Sequence, residues 1–199
     1  DIVWGVLSYI DKNIKYNRTK ALFIFKARYQ SPLETLQLKS GICGDYAFLI
    51  SALLLKCGLN EVYLIHVEIE GDSDHLCVGV NISGTIYVLD QHLPPLKLNY
   101  YMYPARILKT SGTLKRIILY KVVRENNEVT TYKFEYERLS IKPPSLSTVK
   151  SIVTKVLKNL GLKADSRLYR EAERLYRTGT CYLPRGYVMG IGYIISFPC

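Results

Sequence analysis

Gly41-Ile42-Cys43-Gly44-Asp45, running into Tyr46-Ala47-Phe48-Leu49-Ile50-Ser51-Ala52-Leu53-Leu54-Leu55-Lys56, is the stretch that decides how this chain folds. The first five residues read as a turn. Tyr46 to Lys56 then reads as a helix, stopped by Gly58 where a C′ glycine belongs. That helix is apolar on nearly every side, so it is expected to be the central buried one. Cys43 stands at its start, where the free N–H groups and the positive end of the helix dipole favour a thiolate. Gly41 and Gly44 carry no side chain, which would let a substrate backbone approach the sulfur. The backbone N–H of Cys43 is expected to point at a developing oxyanion. Asp45 would repel a thiolate it faced, so it is expected to cap backbone N–H groups and point away.

Downstream, Glu61 to Glu70 alternates and reads as a strand, with Gly71-Asp72-Ser73-Asp74 as a turn. Residues 75–82 and 85–90 read as two further strands joined at Ser83-Gly84, a two-residue hairpin signal. A two-residue loop pairs Ile82 with Thr85, and the register then sets residue 77 opposite 90 and residue 75 opposite 92. Residues two apart share a face, so His75 and Asp90 become diagonal neighbours within side-chain reach. A thiolate needs an imidazole partner, and that imidazole needs an orienting carboxylate. Of the three histidines, His75 meets this requirement. His66 has no acidic neighbour at a predictable register, and His92 follows the strand end and is the reserve.

Upstream, Trp4, Leu7, Ile10 and Ile14 recur at helical spacing, so residues 2–15 read as an amphipathic helix. Residues 16–40 read as mostly irregular, punctuated by Pro32. Beyond the hairpin, Pro94-Pro95 ends the unit. Residues 113–123 and 128–138 alternate again as a second hairpin, Pro143-Pro144 breaks the chain, and helices are expected over 147–160 and 165–178. Tyr187 to Cys199 reads as a buried strand. The order of elements is an α+β pattern with an antiparallel sheet. It divides at residues 1–142, a candidate catalytic domain, and 143–199, a basic helical extension.

The chain has 199 residues and is 48% hydrophobic, enough for a real core. No apolar run approaches the ~20 residues of a membrane helix, and no leader pattern opens the chain, so a soluble protein, cytoplasmic by default, is expected. The net charge of +10 lies wholly in the second half: nine Lys/Arg face ten Asp/Glu in residues 1–99, against eighteen and seven in residues 100–199. Solvated helix faces account for such an excess more readily than a nucleic-acid or acidic partner does. The five cysteines form no C-x-x-C pair, which argues against a zinc ribbon or a dithiol redox motif.

The blocks Ser31-Pro32-Leu33-Glu34-Thr35-Leu36, Gly41 to Ala47 and Lys56-Cys57-Gly58-Leu59 resemble the core of transglutaminase-like domains, which are related to papain. The resemblance continues in Asp74-His75-Leu76-Cys77-Val78 and Ile86-Tyr87-Val88-Leu89-Asp90 and covers roughly residues 1–95. It departs where the family often has an aromatic residue after the His, and Trp before and Pro after the Asp; here stand Leu76-Cys77, Tyr87 and Gln91. It implies a buried helix packed on an antiparallel sheet, a Cys43–His75–Asp90 triad, and acyl transfer on peptide or glutamine-type amides without a cofactor. Papain-like proteases carry an oxyanion-hole Gln six residues before the Cys, the position of Gln37 here, although an exposed loop residue is the plainer reading of it.

Two other classes of function fit the same residues less well. Cys77 shares the face of His75 and Asp90, and with Cys43 these four could ligate zinc, but the spacing is not compact. A catalytically silent domain could instead bind anions through Lys150, Lys155, Lys158, Arg167, Arg170, Arg174 and Arg177, with Tyr169 and Tyr176 interleaved. Leu168, Ala172 and Leu175 make those helices equally readable as cover for the sheet.

Overall fold

The computed structural model describes residues 2–23, 28–70, 73–101, 113–126, 128–135, 145–159, 182–183 and 195–196. The chain forms two compact units, one of residues 1–98 with 111–139, the other of residues 99–110 with 140–199. The chain therefore passes between the units three times, at 98/99, 110/111 and 139/140.

In the first unit, α1 (Ile2–Asn13) buries Val3, Val6, Leu7 and Ile10. Leu7 and Ile10 belong to the expected stripe, Ile14 is buried just past the helix end, and Trp4 is only half-buried, so the buried face is turned towards Val3 and Val6. The stretch 16–40, expected to be irregular, carries α2 (Arg18–Leu22) and α3 (Pro32–Leu38). The α3 start is encoded locally: the Ser31 Oγ accepts from Glu34 N, Pro32 occupies the first helical position, and the Glu34 carboxylate accepts from Ser31 N. Two short strands, β1 (Lys15–Tyr16) and β2 (Ser40–Gly41), pair in parallel and tie the end of α1 to the loop before Cys43.

The central helix α4 spans Cys43–Lys56. Tyr46, Leu49, Ile50 and Leu54 are fully buried, each contributing ~1.5–3 kcal/mol of hydrophobic stabilisation. Gly58 ends it at φ +102, with Gly58 N donating to Leu55 O and Leu59 N to Leu54 O in a Schellman arrangement.

The sheet is formed by β3 (Glu61–Glu70), β4 (His75–Ile82), β5 (Thr85–Leu89), β6 (Leu96–Lys97), β7 (Thr113–Glu125) and β8 (Glu128–Glu135). Their order is β6-β5-β4-β3-β7-β8, and every pairing is antiparallel. The β4–β5 hairpin has the register read from sequence, Ile82 opposite Thr85 and Val78 opposite Leu89. Its two tip residues, Ser83 and Gly84, both take positive φ (50° and 79°), the conformation that keeps the flanking strands twisted together. β7 and β8 form the second hairpin, and β7 adds to the free edge of β3.

In the second unit, α5 spans Leu98–Tyr101, reaching back one residue into the first, and α6 spans Leu146–Asn159. β9 (Tyr182–Leu183) and β10 (Ile195–Ser196) pair antiparallel; of the strand expected over Tyr187 to Cys199, all but Ile195 and Ser196 lies outside the described residues. The helix expected over 165–178, with its four arginines, lies outside the described residues. Among the described residues no helix is long and apolar enough to cross a membrane.

Candidate functional site

The geometry of the site begins with Asp45. Its carboxylate is completely buried and accepts three hydrogen bonds, from Gln30 N (2.6 Å) to one oxygen and from Lys20 Nζ (2.7 Å) and Ile42 N (2.9 Å) to the other. Lys20 arrives because Asn17 caps α2, accepting from Lys20 N at 2.9 Å. The ammonium also donates to Gln30 Oε1 at 2.9 Å, and Gln30 Nε2 donates to Ser40 O at 3.2 Å. The acid in the first helical turn is thus occupied with backbone and a lysine, and it locks the loop that delivers Cys43. A Cβ on Gly41 would stand 2.6 Å from the Asp45 Cβ, and one on Gly44 would stand 2.3 Å from the Tyr29 ring. Both glycines, expected to leave room for substrate, therefore leave room for the protein's own side chains.

Cys43 is buried, with 7% of its surface exposed. Burial pushes its thiol up. A hydrogen bond with His75, the imidazolium charge, and a hydrogen bond with the Leu76 backbone outweigh this, so the thiol lies below its ordinary 9.0. Burial would likewise depress His75, but the Asp90 charge and the contacts with Asp90 and Cys43 push it up to about 10. His75 Nε2 lies 3.2 Å from Asp90 Oδ1, with side-chain exposures of 14% and 27%. The ring N–H is not aligned on that oxygen, so this contact is a close charge pairing rather than a well-directed hydrogen bond. With Nε2 towards the acid, Nδ1 is the nitrogen left for the sulfur.

A cleft of about 330 Å³ opens beside the sulfur, lined by Cys43 and His75 and by Tyr29, Phe48, Leu64, Leu76, Tyr120, His66, Asp74 and Thr131. Tyr29 packs edge-on against Phe48, with ring centroids 5.6 Å apart. Gln37 is exposed on α3 and is not among these lining residues. His66, expected to lack an acidic neighbour, has Asp74 Oδ2 3.1 Å from its Nε2. The β3–β4 ladder sets it opposite Leu76 and makes Asp74 its diagonal neighbour. His92 pairs with Asp11 at 2.6 Å, tying the hairpin end to α1.

The upstream tyrosines went unread in the sequence. Tyr16 and Tyr29 both have phenols pushed up, first by burial and then by the charge of Cys43. The signal that finds Tyr16 is the ladder placing it opposite Gly41, two residues from the thiol. Cys77, proposed as a fourth ligand, is buried and turns its thiol to Ile65 O at 3.8 Å. No group of three or more His, Cys, Asp or Glu suited to a metal ion occurs among the described residues.

A cysteine at the tip of a buried helix, set against an antiparallel sheet that presents a histidine and an aspartate, places this chain among the transglutaminase-like α+β folds. A family model described as a transglutaminase-like domain matches residues 1–123, and the chain belongs to that family. The match runs past residue 95, where the sequence resemblance ended, and takes in most of β7. The UPF0252 protein of Archaeoglobus fulgidus is 31% identical over 90% of this chain and 60% of its own length. The UPF0252 protein PH0672 of Pyrococcus horikoshii is 33% identical over 69% of this chain and 43% of its own length. The chain thus spans about half the length of these curated relatives. Among solved structures it is similar to calcium-bound LapG of Legionella pneumophila, with a TM-score of 0.44 and 15% identity over 77% of this chain and 78% of that one.

Proposed function

We propose that the protein is a thiol-dependent acyl-transfer enzyme in which Cys43 is the nucleophile, His75 the acid and base, and Asp90 the group that holds the imidazole. The observation that carries this is the Cys43–His75 contact, which lowers the thiol despite its burial. In the proposed first step the thiolate forms a C–S bond to an amide carbonyl carbon, and the carbonyl electron pair moves to oxygen. The Cys43 N–H, among the helix-start donors that lack an intrahelical partner, stabilises that oxyanion. The C–N bond then breaks, and the His75 imidazolium gives its proton to the departing amine. Water attacks the thioester while His75 takes its proton, the C–S bond breaks, and the acid leaves. An amine in place of water gives transamidation.

The test is iodoacetamide labelling across pH, read by peptide mass mapping, with the exposed thiol of Cys57 as internal reference. Cys43 is expected to react below pH 9.0, its ordinary value, and to lose that reactivity in His75→Ala. Labelling of Cys43 no faster than Cys57 at mildly acidic pH overturns the proposal. Turnover of peptide and glutamine amides, with and without an added primary amine, then separates hydrolysis from transamidation.

A further inference from the structure

The cleft beside Cys43 has a consistent chemistry along its walls. Tyr29, Phe48, Leu64, Leu76 and Tyr120 give it aromatic and aliphatic sides, while Asp74 places a carboxylate in the lining. At about 330 Å³ it stands at the low end of the ~300–1,000 Å³ of ligand sites, room for one long side chain and the backbone beside it. Asp74 differs sharply from Asp45. Asp45 is completely buried on a lysine, whereas the Asp74 side chain is 49% exposed, and its partners among the described residues are His66 and Ile69 N. No Lys or Arg is paired with it among those residues. The Asp74 charge reaches into the cleft, where it helps to push the Tyr29 phenol up.

An apolar channel with a carboxylate on its wall matches a side chain that is apolar along its stem and cationic at its tip. Lys and Arg lay their methylenes on apolar surface and keep the head group wet. Their charge is also attracted to the faces of tyrosine and phenylalanine rings. We propose that this cleft is the acyl-donor specificity pocket and takes a lysine or arginine side chain next to the attacked carbonyl, with Asp74 receiving the cation. This rests on the acyl-transfer reading above. Although the whole chain is basic, the described residues of the pocket walls supply one exposed acid and no Lys or Arg, so its selectivity runs against the charge of the protein as a whole.

The experiment uses two chloromethyl ketone peptides that differ only in lysine or norleucine next to the warhead. Alkylation of Cys43 by each is timed by mass spectrometry in the wild-type protein and in Asp74→Asn. The lysine reagent is expected to label about two- to fivefold faster, and this ratio is expected to fall towards unity in the variant, as an ion pair to an exposed carboxylate predicts. Iodoacetamide labelling of Cys43 is expected to be the same in both. Equal rates for the two reagents in the wild type, or a ratio untouched by Asp74→Asn, overturn the pocket while leaving the nucleophile standing. The same two side chains, offered as peptide amides to Cys43→Ser in calorimetric titrations, read the pocket without the thiol. There the lysine peptide is expected to bind more tightly, and equal affinities overturn the assignment even when Cys43 proves unreactive.

Discussion

Replacing Asp45 with alanine removes the acceptor at the centre of the site's framework. Three donors lose the carboxylate at once: Gln30 N and Ile42 N are left without it, and Lys20 Nζ keeps only Gln30 Oε1 and no opposite charge. Breaking a buried ion pair from one side costs ~3–5 kcal/mol. Lys20 keeps 14% of its side chain exposed, so its ammonium can rewet and the lower end applies. Two orphaned backbone N–H groups would add ~1 kcal/mol each at the modest end of their range. A total of about 4–5 kcal/mol results, against a typical stability of ~5–15 kcal/mol. At ~2–4 °C per kcal/mol for a domain of this size, melting falls by roughly 8–20 °C. Urea unfolding followed by circular dichroism reads this as a lower midpoint at unchanged slope. The double variant Asp45→Ala/Lys20→Met should recover part of the loss, because it leaves no unpaired ammonium. A loss under ~1 kcal/mol in the single variant would refute the reasoning, since all three donors would then have found water at little cost.

In His75→Ala, burial and the Asp90 charge, both upward, are opposed only by the Leu76 backbone hydrogen bond, so the labelling of Cys43 titrates at higher pH than in the wild type. Asp90→Asn removes the charge that most raises His75 from 6.5 to about 10, so the alkaline limb of turnover, which needs the imidazolium, moves to lower pH. Gly44→Ala drives a methyl into the Tyr29 ring and costs ~1–3 kcal/mol by thermal melting, with weaker peptide binding because Tyr29 lines the cleft. Gly58→Ala meets open space but sits at φ +102, so it costs ~1 kcal/mol through backbone conformation, with no change in Cys43 labelling.

The parts of this molecule that sequence reveals are those governed by short periods. The apolar run after Cys43 announces a buried helix, and a two-residue tip fixes the β4–β5 register, so the approach of His75 to Asp90 could be worked out by counting. The helix α3 was equally available, since Ser31-Pro32-Leu33-Glu34 is a complete start signal, yet a single proline made the region look irregular. His66 was misjudged because the length of the β3–β4 turn leaves that register open, and its pairing with Asp74 follows only once Val67 is set opposite His75. The Lys20–Asp45 pair joins residues far apart in the chain, and no local pattern announces such a contact. The seating of β7 on β3 has the same origin, and it explains why the family match extends beyond the hairpin.

The Ser83-Gly84 tip carries a constraint on how descendants of this sequence can change in length. Side chains alternate strictly along β4 and β5, so sliding one strand by a single residue sends Asp90 to the side away from His75. An extra residue gained there is harmless only if it loops out of the ladder; absorbed into the pairing, it disconnects the two groups without touching either. Parity of length at a remote bend is therefore inherited together with the acid and the imidazole it aligns.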